Sequence, residues 1–98
     1  MTITTNKNGG ALTIALEGRL DTTTAPELDE MLKGSLEDVS DLTLDLEKLE
    51  YLSSAGLRVL LLAQKAMNKK GKMVVKNVND TIQEIFEITG FVEILTIQ

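Results

Sequence analysis

The sequence predicts an α/β fold, with crossover helices packed on a mixed sheet. Three observations lead there. Segments with apolar residues at every second position alternate along the chain with segments whose apolar residues recur at helical spacing. The turn signal Asn8-Gly9-Gly10 joins the first two strand-like segments as a hairpin. The chain has 98 residues, 43% of them hydrophobic, which suits one core and one domain over residues 1–98.

The elements are expected in the order β-β-α-β-α-β-α-β. The first strand opens at Ile3, and the second sets Leu12, Ile14 and Leu16 against Thr13, Ala15 and Glu17 until Gly18 breaks the pattern. Asp21 to Pro26 reads as a helix start, because Thr24 can cap and Pro26 suits the first turn. Leu28, Met31, Leu32 and Leu36 form the stripe of that helix. Gly34 costs it about 1 kcal/mol relative to alanine and blurs its end. Leu42, Leu44 and Leu46 alternate in the third strand, and Leu49 and Leu52 flank a loop carrying Glu50 and Tyr51.

Ser53-Ser54-Ala55-Gly56 opens the most apolar helix, which holds Leu57, Leu60, Leu61, Gln64 and Met67. It ends at Asn68-Lys69-Lys70-Gly71, where cations suit the negative helix end and Gly71 is expected to supply a left-handed cap. Lys72 to Val78 is the next strand. Asn79 or Asp80 caps a third helix with Ile82, Ile85 and Phe86 on one face, and Thr89-Gly90 stops it. Ile94, Leu95 and Ile97 make a last short strand, and Met31, Met67, Met73 and Phe91 are expected to fill the core. Such alternation calls for a sheet of four to five strands with helices crossing over it, and the leading hairpin makes it mixed.

Composition narrows the function. The chain contains no cysteine and no histidine, so disulfides, thiolate chemistry and Ser-His-Asp arrangements are excluded and the usual metal ligands are missing. No enzyme activity, cofactor or small-molecule substrate is expected. A net charge of −5, one Tyr and no Trp, with a pI near 4.6, argue against nucleic-acid binding. The N-terminus lacks the basic start and apolar run of a signal peptide, and the longest apolar run is Val59 to Ala63. A cytoplasmic domain without direct membrane insertion is expected. Arg58 to Lys76 carries bases and no acids, against an acidic first half. Two solvated faces are the favoured account of that asymmetry, and a charged docking surface is the sharper alternative.

The segment Leu49 to Arg58 joins a strand to a helix, the place where α/β sheets meet ligands and partners. Two serines sit there at a helix N-terminus. Either hydroxyl can serve as a plain cap, worth about 1 kcal/mol. A nucleophile elbow needs glycine before the serine and a histidine base, and a P-loop needs a Gly-Lys-Ser ending. None of these is present. Phosphorylation fits the chemistry, adding a charge of about −1.5 to −2 and three acceptor oxygens. Asp21 suits either a bond within its own turn or a partner contact.

These residues carry a family resemblance. Leu46 followed by Leu49-(x)-Tyr51-Leu52-Ser53-Ser54-Ala55-Gly56-Leu57-Arg58-Val59-Leu60 resembles the central signature of STAS domains, specifically the bacterial anti-sigma factor antagonists. Leu16-(x)-Gly18-Arg19-Leu20-Asp21-(x)-(x)-Thr24-Ala25 is similar to their first strand-helix junction, and Ile85 to Phe91 to their last helix and its glycine stop. The resemblance implies a STAS-like single domain. It also implies Ser54 as phosphoacceptor for an anti-sigma factor that is itself a serine kinase, with a PP2C-type phosphatase reversing the modification. Unmodified, such a domain binds the kinase and frees a sigma factor. Asp21, Thr24, Ser53, Ala55, Gly56 and Arg58 are then expected to meet the partner. Ser53 stands where these regulators commonly have aspartate, and Ala55 where they often have Ser or Thr. The alternative within the same fold is a constitutive adaptor subunit of a membrane transport or lipid-trafficking complex, with Ser54 as a helix cap.

Overall fold

A tight turn at Gly9-Gly10, with Gly9 at φ +62°, folds β1 (Thr2–Asn8) back on β2 (Ala11–Leu20). The computed structural model describes residues 1–98. After the hairpin come α1 (Ala25–Ser35), β3 (Asp41–Leu52), α2 (Ser54–Asn68), β4 (Lys72–Lys76) and α3 (Asp80–Thr89). A short 3-10 turn, Phe91–Glu93, follows. The sheet has four strands in the order β1-β2-β3-β4. β1 pairs antiparallel with β2, while β2, β3 and β4 run parallel. The expected mixed α/β architecture is what forms.

Strand periodicity puts one face of the sheet inside. Leu12, Ile14 and Leu16 from β2, Leu42, Leu44 and Leu46 from β3, and Met73 and Val75 from β4 are all buried. They join Leu28, Leu32, Leu60, Ala63, Met67, Ile82 and Phe86 of the helices in one hydrophobic cluster. The opposite face presents Thr13, Ala15, Thr43, Asp45 and Val74, none of them buried. Two layers result, helices on one side and water on the other. Of the expected core fillers, Met67 and Met73 are fully buried, and Met31 and Phe91 pack at the margin.

The structure corrects several local expectations, among them the end of β4, which stops at Lys76 rather than Val78 where Asn77 takes a φ of +58°. Gly18 does not end β2, because at φ +102° it lies beside a register shift and the strand continues to Leu20. The expected loop between Leu49 and Leu52 is also strand. Ala15 pairs with Asp45 but Glu17 with Lys48, and Gly18 with Leu49 but Arg19 with Tyr51, so β3 takes up an extra residue at each of two irregularities. Those insertions turn the spacing of Leu46, Leu49 and Leu52 from two to three while all three remain buried. A period of three looks like a loop in one dimension.

Gly71 has no left-handed conformation, since the positive-φ glycines are Gly9, Gly18 and Gly90. Its role is close approach, because a Cβ there would run into the backbone carbonyl of Ser40. The last strand shrinks to a single bridge between Val75 and Ile97. The N–H groups of Ile94 and Leu95 are committed to the Phe91 carbonyl at 3.0 and 2.8 Å, which leaves only the flanks of Ile97 to pair. Gly90, at φ +81°, does end α3 in the left-handed conformation, and Asn79 is its cap, with Oδ1 accepting from Ile82 N–H at 2.9 Å.

Candidate functional site

Parallel pairing of β2 with β3 brings Leu20 opposite Leu52, so the residues that follow each strand share one end of the sheet. Asp21 leaves β2 there, and Ser53 leaves β3. Ser53 N–H donates to the Leu20 carbonyl at 2.9 Å, which extends the ladder by one bond and locks the two corners together.

Ser53 is the capping serine. Its backbone is extended, and its Oγ accepts from Gly56 N–H at 3.4 Å; its carbonyl receives Leu57 N–H at 2.9 Å. Ser54 is therefore the first helical residue of α2, released from capping and exposed. Ala55 is half-buried and Gly56 buried. Arg58 lies one turn beyond Ser54 and is exposed, on the same helix face by the i, i+4 rule.

Gly56 contributes spacing rather than surface. A Cβ there would come within 2.7 Å of Leu20 Cγ and Leu52 Cδ1, so glycine is what lets the first turn of α2 seat on the strand ends. Gly56→Ala is expected to cost about 1–3 kcal/mol by overpacking, read as a lowered urea midpoint at unchanged m-value.

Asp21 closes its own turn. Its Oδ1 accepts from Thr23 Oγ1 at 2.8 Å, Thr23 N–H at 3.0 Å and Thr24 N–H at 3.2 Å. The Thr23 hydroxyl is the main cause of a carboxyl pKa below the ordinary aspartate value; partial desolvation opposes it, and the Thr23 and Thr24 donors reinforce it. Thr24 occupies the N-cap position of α1 but makes no side-chain cap. Its hydroxyl instead accepts from Asp21 N–H and donates to the Arg19 carbonyl, both at 2.8 Å. The threonine thus braces the turn rather than the helix.

Two neighbours were not singled out as site residues by sequence reasoning, although Arg19 lies within the Leu16 to Ala25 motif and Asn79 is an expected helix cap. Arg19 places its guanidinium 4.2 Å from the Tyr51 ring centroid, with Nε 3.7 Å from Asp21 Oδ2. The pair forms because Arg19 and Tyr51 are cross-strand partners, and no local pattern announces a parallel register. Asn79 is the other. Its Nδ2 donates to the Leu49 carbonyl at 2.8 Å, tying the start of α3 to the irregular stretch of β3. The corner is polar and open, with the Ser54 hydroxyl free of capping and exposed and with Arg19 and Arg58 as its exposed cationic groups. No group of three or more carboxylates is placed to hold a metal ion, and no helix is long and apolar enough to cross a membrane.

Comparison with known proteins agrees with this architecture. The family model described as "STAS domain" matches residues 2–98. The anti-sigma-B factor antagonist of Staphylococcus aureus is 34% identical over 84 residues, covering 84% of this chain and 78% of its own length. An anti-sigma factor antagonist from Mycobacterium paratuberculosis superposes with a TM-score of 0.88 at 23% identity, over 98% of this chain and 83% of that one. The Bacillus cell fate determinant SpoIIAA, solved in its phosphorylated form, gives a TM-score of 0.78 at 16% identity, over 99% of this chain and 91% of that one. At those identities the two structural likenesses speak for the fold.

Proposed function

This chain belongs to the STAS domain family, and on that premise we propose that it is a partner-switching anti-sigma factor antagonist controlled at Ser54. Unmodified, it binds an anti-sigma factor that is also a serine kinase. The kinase moves the γ-phosphoryl group of ATP to Ser54 Oγ, ADP leaves, and the complex separates. Hydrolysis of the phosphoserine by a PP2C-type phosphatase restores the binding form. The domain itself performs no catalysis.

One observation carries the reading: of the two serines at the head of α2, Ser54 is the exposed one, because Ser53 has taken the cap. A kinase reaching this corner meets a side chain with no structural duty. Phosphate at the first helical residue is tolerated by the fold, since the helix dipole favours negative charge there. The partner bears the cost. Against an acidic group about 6 Å away, each unit-charge pair is repulsive by roughly 2–3 kcal/mol at an effective dielectric near 20, and 1.4 kcal/mol is about tenfold in affinity. Within the docking face Ser54 and Arg58 make the direct contacts, with Ser53 and Ala55 beside them. Asp21 and Thr24 hold the adjoining turn, and Gly56 sets the height of the helix.

The test is calorimetric binding of the anti-sigma kinase to three proteins. Ser54→Ala is expected to bind within about threefold of the wild type, and Ser54→Asp at least ~10-fold more weakly. Phosphopeptide mapping after incubation with kinase and ATP is expected to return Ser54 alone. Equal binding by the aspartate variant, or no phosphate at Ser54, would defeat the proposal and favour the constitutive adaptor.

A further inference from the structure

Between α1 and α2 runs an open groove of about 490 Å³. Its floor is apolar, made by Leu32, Leu36, Val59, Ala63 and Ala66, and Leu62 stands at its margin 46% exposed. No element of the chain covers it.

The two banks carry opposite charge. On the α1 side are Asp29 and Glu37, with Lys33 folded back onto Asp29 at 3.2 Å. On the α2 side an exposed stripe of Arg58, Lys65 and Lys69 flanks Leu62, and the chain has no acid between Arg58 and Lys76. Lys70 closes the far end by donating to the Leu36 carbonyl.

Both helices connect neighbouring parallel strands, β2 to β3 and β3 to β4, so they run in the same direction across the sheet. Asp29 is the fifth residue of α1 and Arg58 the fifth of α2. A two-fold axis along the groove would lay α1 of one copy over α2 of another with their ends in step. Each acidic bank then faces a basic bank, twice over, and each Leu62 meets the apolar floor of the other copy. An acidic helix from a different protein would satisfy the α2 bank and be repelled by Asp29 and Glu37. A basic one would fail in the reverse sense. Only an occupant carrying both signs in this order fits both banks, and the chain is such an occupant of itself.

We infer that the α1–α2 groove is the contact face of a two-fold dimer of this chain. The inference does not rest on Ser54 being modified, and because Ser54 lies one turn before Arg58 on the basic side of α2, the test uses unmodified protein. At 11 and 15 residues the helices are about 16 and 22 Å long, so the face is smaller than a standard stable interface. The dimer is weak and transient, and added salt weakens it further by screening its rim.

Sedimentation equilibrium from about 10 µM to 1 mM tests this on the full chain, with no kinase present. One variant makes both banks basic, Asp29→Lys with Glu37→Lys. A second makes both acidic, Lys65→Glu with Lys69→Glu. Each alone is expected to self-associate at least ~10-fold more weakly than the wild type, and an equimolar mixture to regain wild-type association. Leu62→Ser, which leaves every charge in place, is expected to weaken it by a similar factor and decides the matter if a charge variant fails to fold by circular dichroism. A wild type that stays monomeric to 1 mM overturns the inference. So does a mixture no better associated than its components, or a Leu62→Ser protein that dimerises like the wild type.

Discussion

Gly71→Ala is expected to destabilise the domain by about 3 kcal/mol or more, with Tm lowered by roughly 12–24 °C at 4–8 °C per kcal/mol. The reason lies at the N-terminal end of the parallel strands, where three loops are pressed together. Gly71 packs on Ser40, and a Cβ there would overlap the Ser40 carbonyl, its carbon and its Cα. These are backbone atoms, so no side-chain rotation relieves the clash. The same carbonyl accepts Lys72 N–H at 2.9 Å, while Ser40 and Asp41 donate to the Gly10 carbonyl at 2.8 and 3.1 Å. Separating Gly71 from Ser40 therefore strains the start of β4 and the anchor of β3 on the hairpin together. Thermal unfolding followed by circular dichroism measures it. A Tm within 3 °C of the wild type would mean that the loops part freely, and the close-approach account would fail.

The second large effect is expected at Phe86, the largest of the fully buried side chains. Its ring stacks on Phe91 with centroids 6.5 Å apart and planes 21° off parallel, fastening α3 and the turn after Gly90 to the core. Phe86→Ala removes a ring from an aliphatic interior with few other aromatics to repack, and a loss of about 3–5 kcal/mol is expected. Against a typical stability of about 5–15 kcal/mol for a domain of this kind, the variant sits near the edge of folding. Chemical denaturation gives the figure, with Phe86→Leu, expected to lose much less, as the volume control. By contrast, Ser54→Ala touches an exposed hydroxyl outside the cap, and its stability is expected to stay within about 0.5 kcal/mol of the wild type.

Most of the architecture was readable in one dimension, because it depends on neighbours a few residues apart. Alternating leucines marked β2 and the first half of β3, and helical spacing with Asn79 before it and Gly90 after it bounded α3. Two adjacent serines before an apolar helix marked the corner. The larger misreadings depended on a strand or loop distant in the chain, and the smaller ones on competing bonds within a single turn. The three-residue spacing of Leu46, Leu49 and Leu52 makes sense only beside β2, which supplies the register shifts. Gly71 looked like a helix cap because nothing in the local sequence shows that Ser40 lies against it. Thr24 occupied the expected cap position, but its hydroxyl went to Arg19 and Asp21 across the turn.

At the corner itself the same division holds. Composition and spacing by themselves determined an α/β domain without histidine or cysteine chemistry and with a serine pair at the head of its most apolar helix, because period and residue type are properties of the chain alone. Which serine caps and which stands free, how Arg19 comes to lie over Tyr51, and that an acidic helix and a basic helix border one apolar groove were decided in three dimensions. Those outcomes depend on strand register and on how closely backbones approach, and both are set by residues tens of positions apart meeting across the sheet.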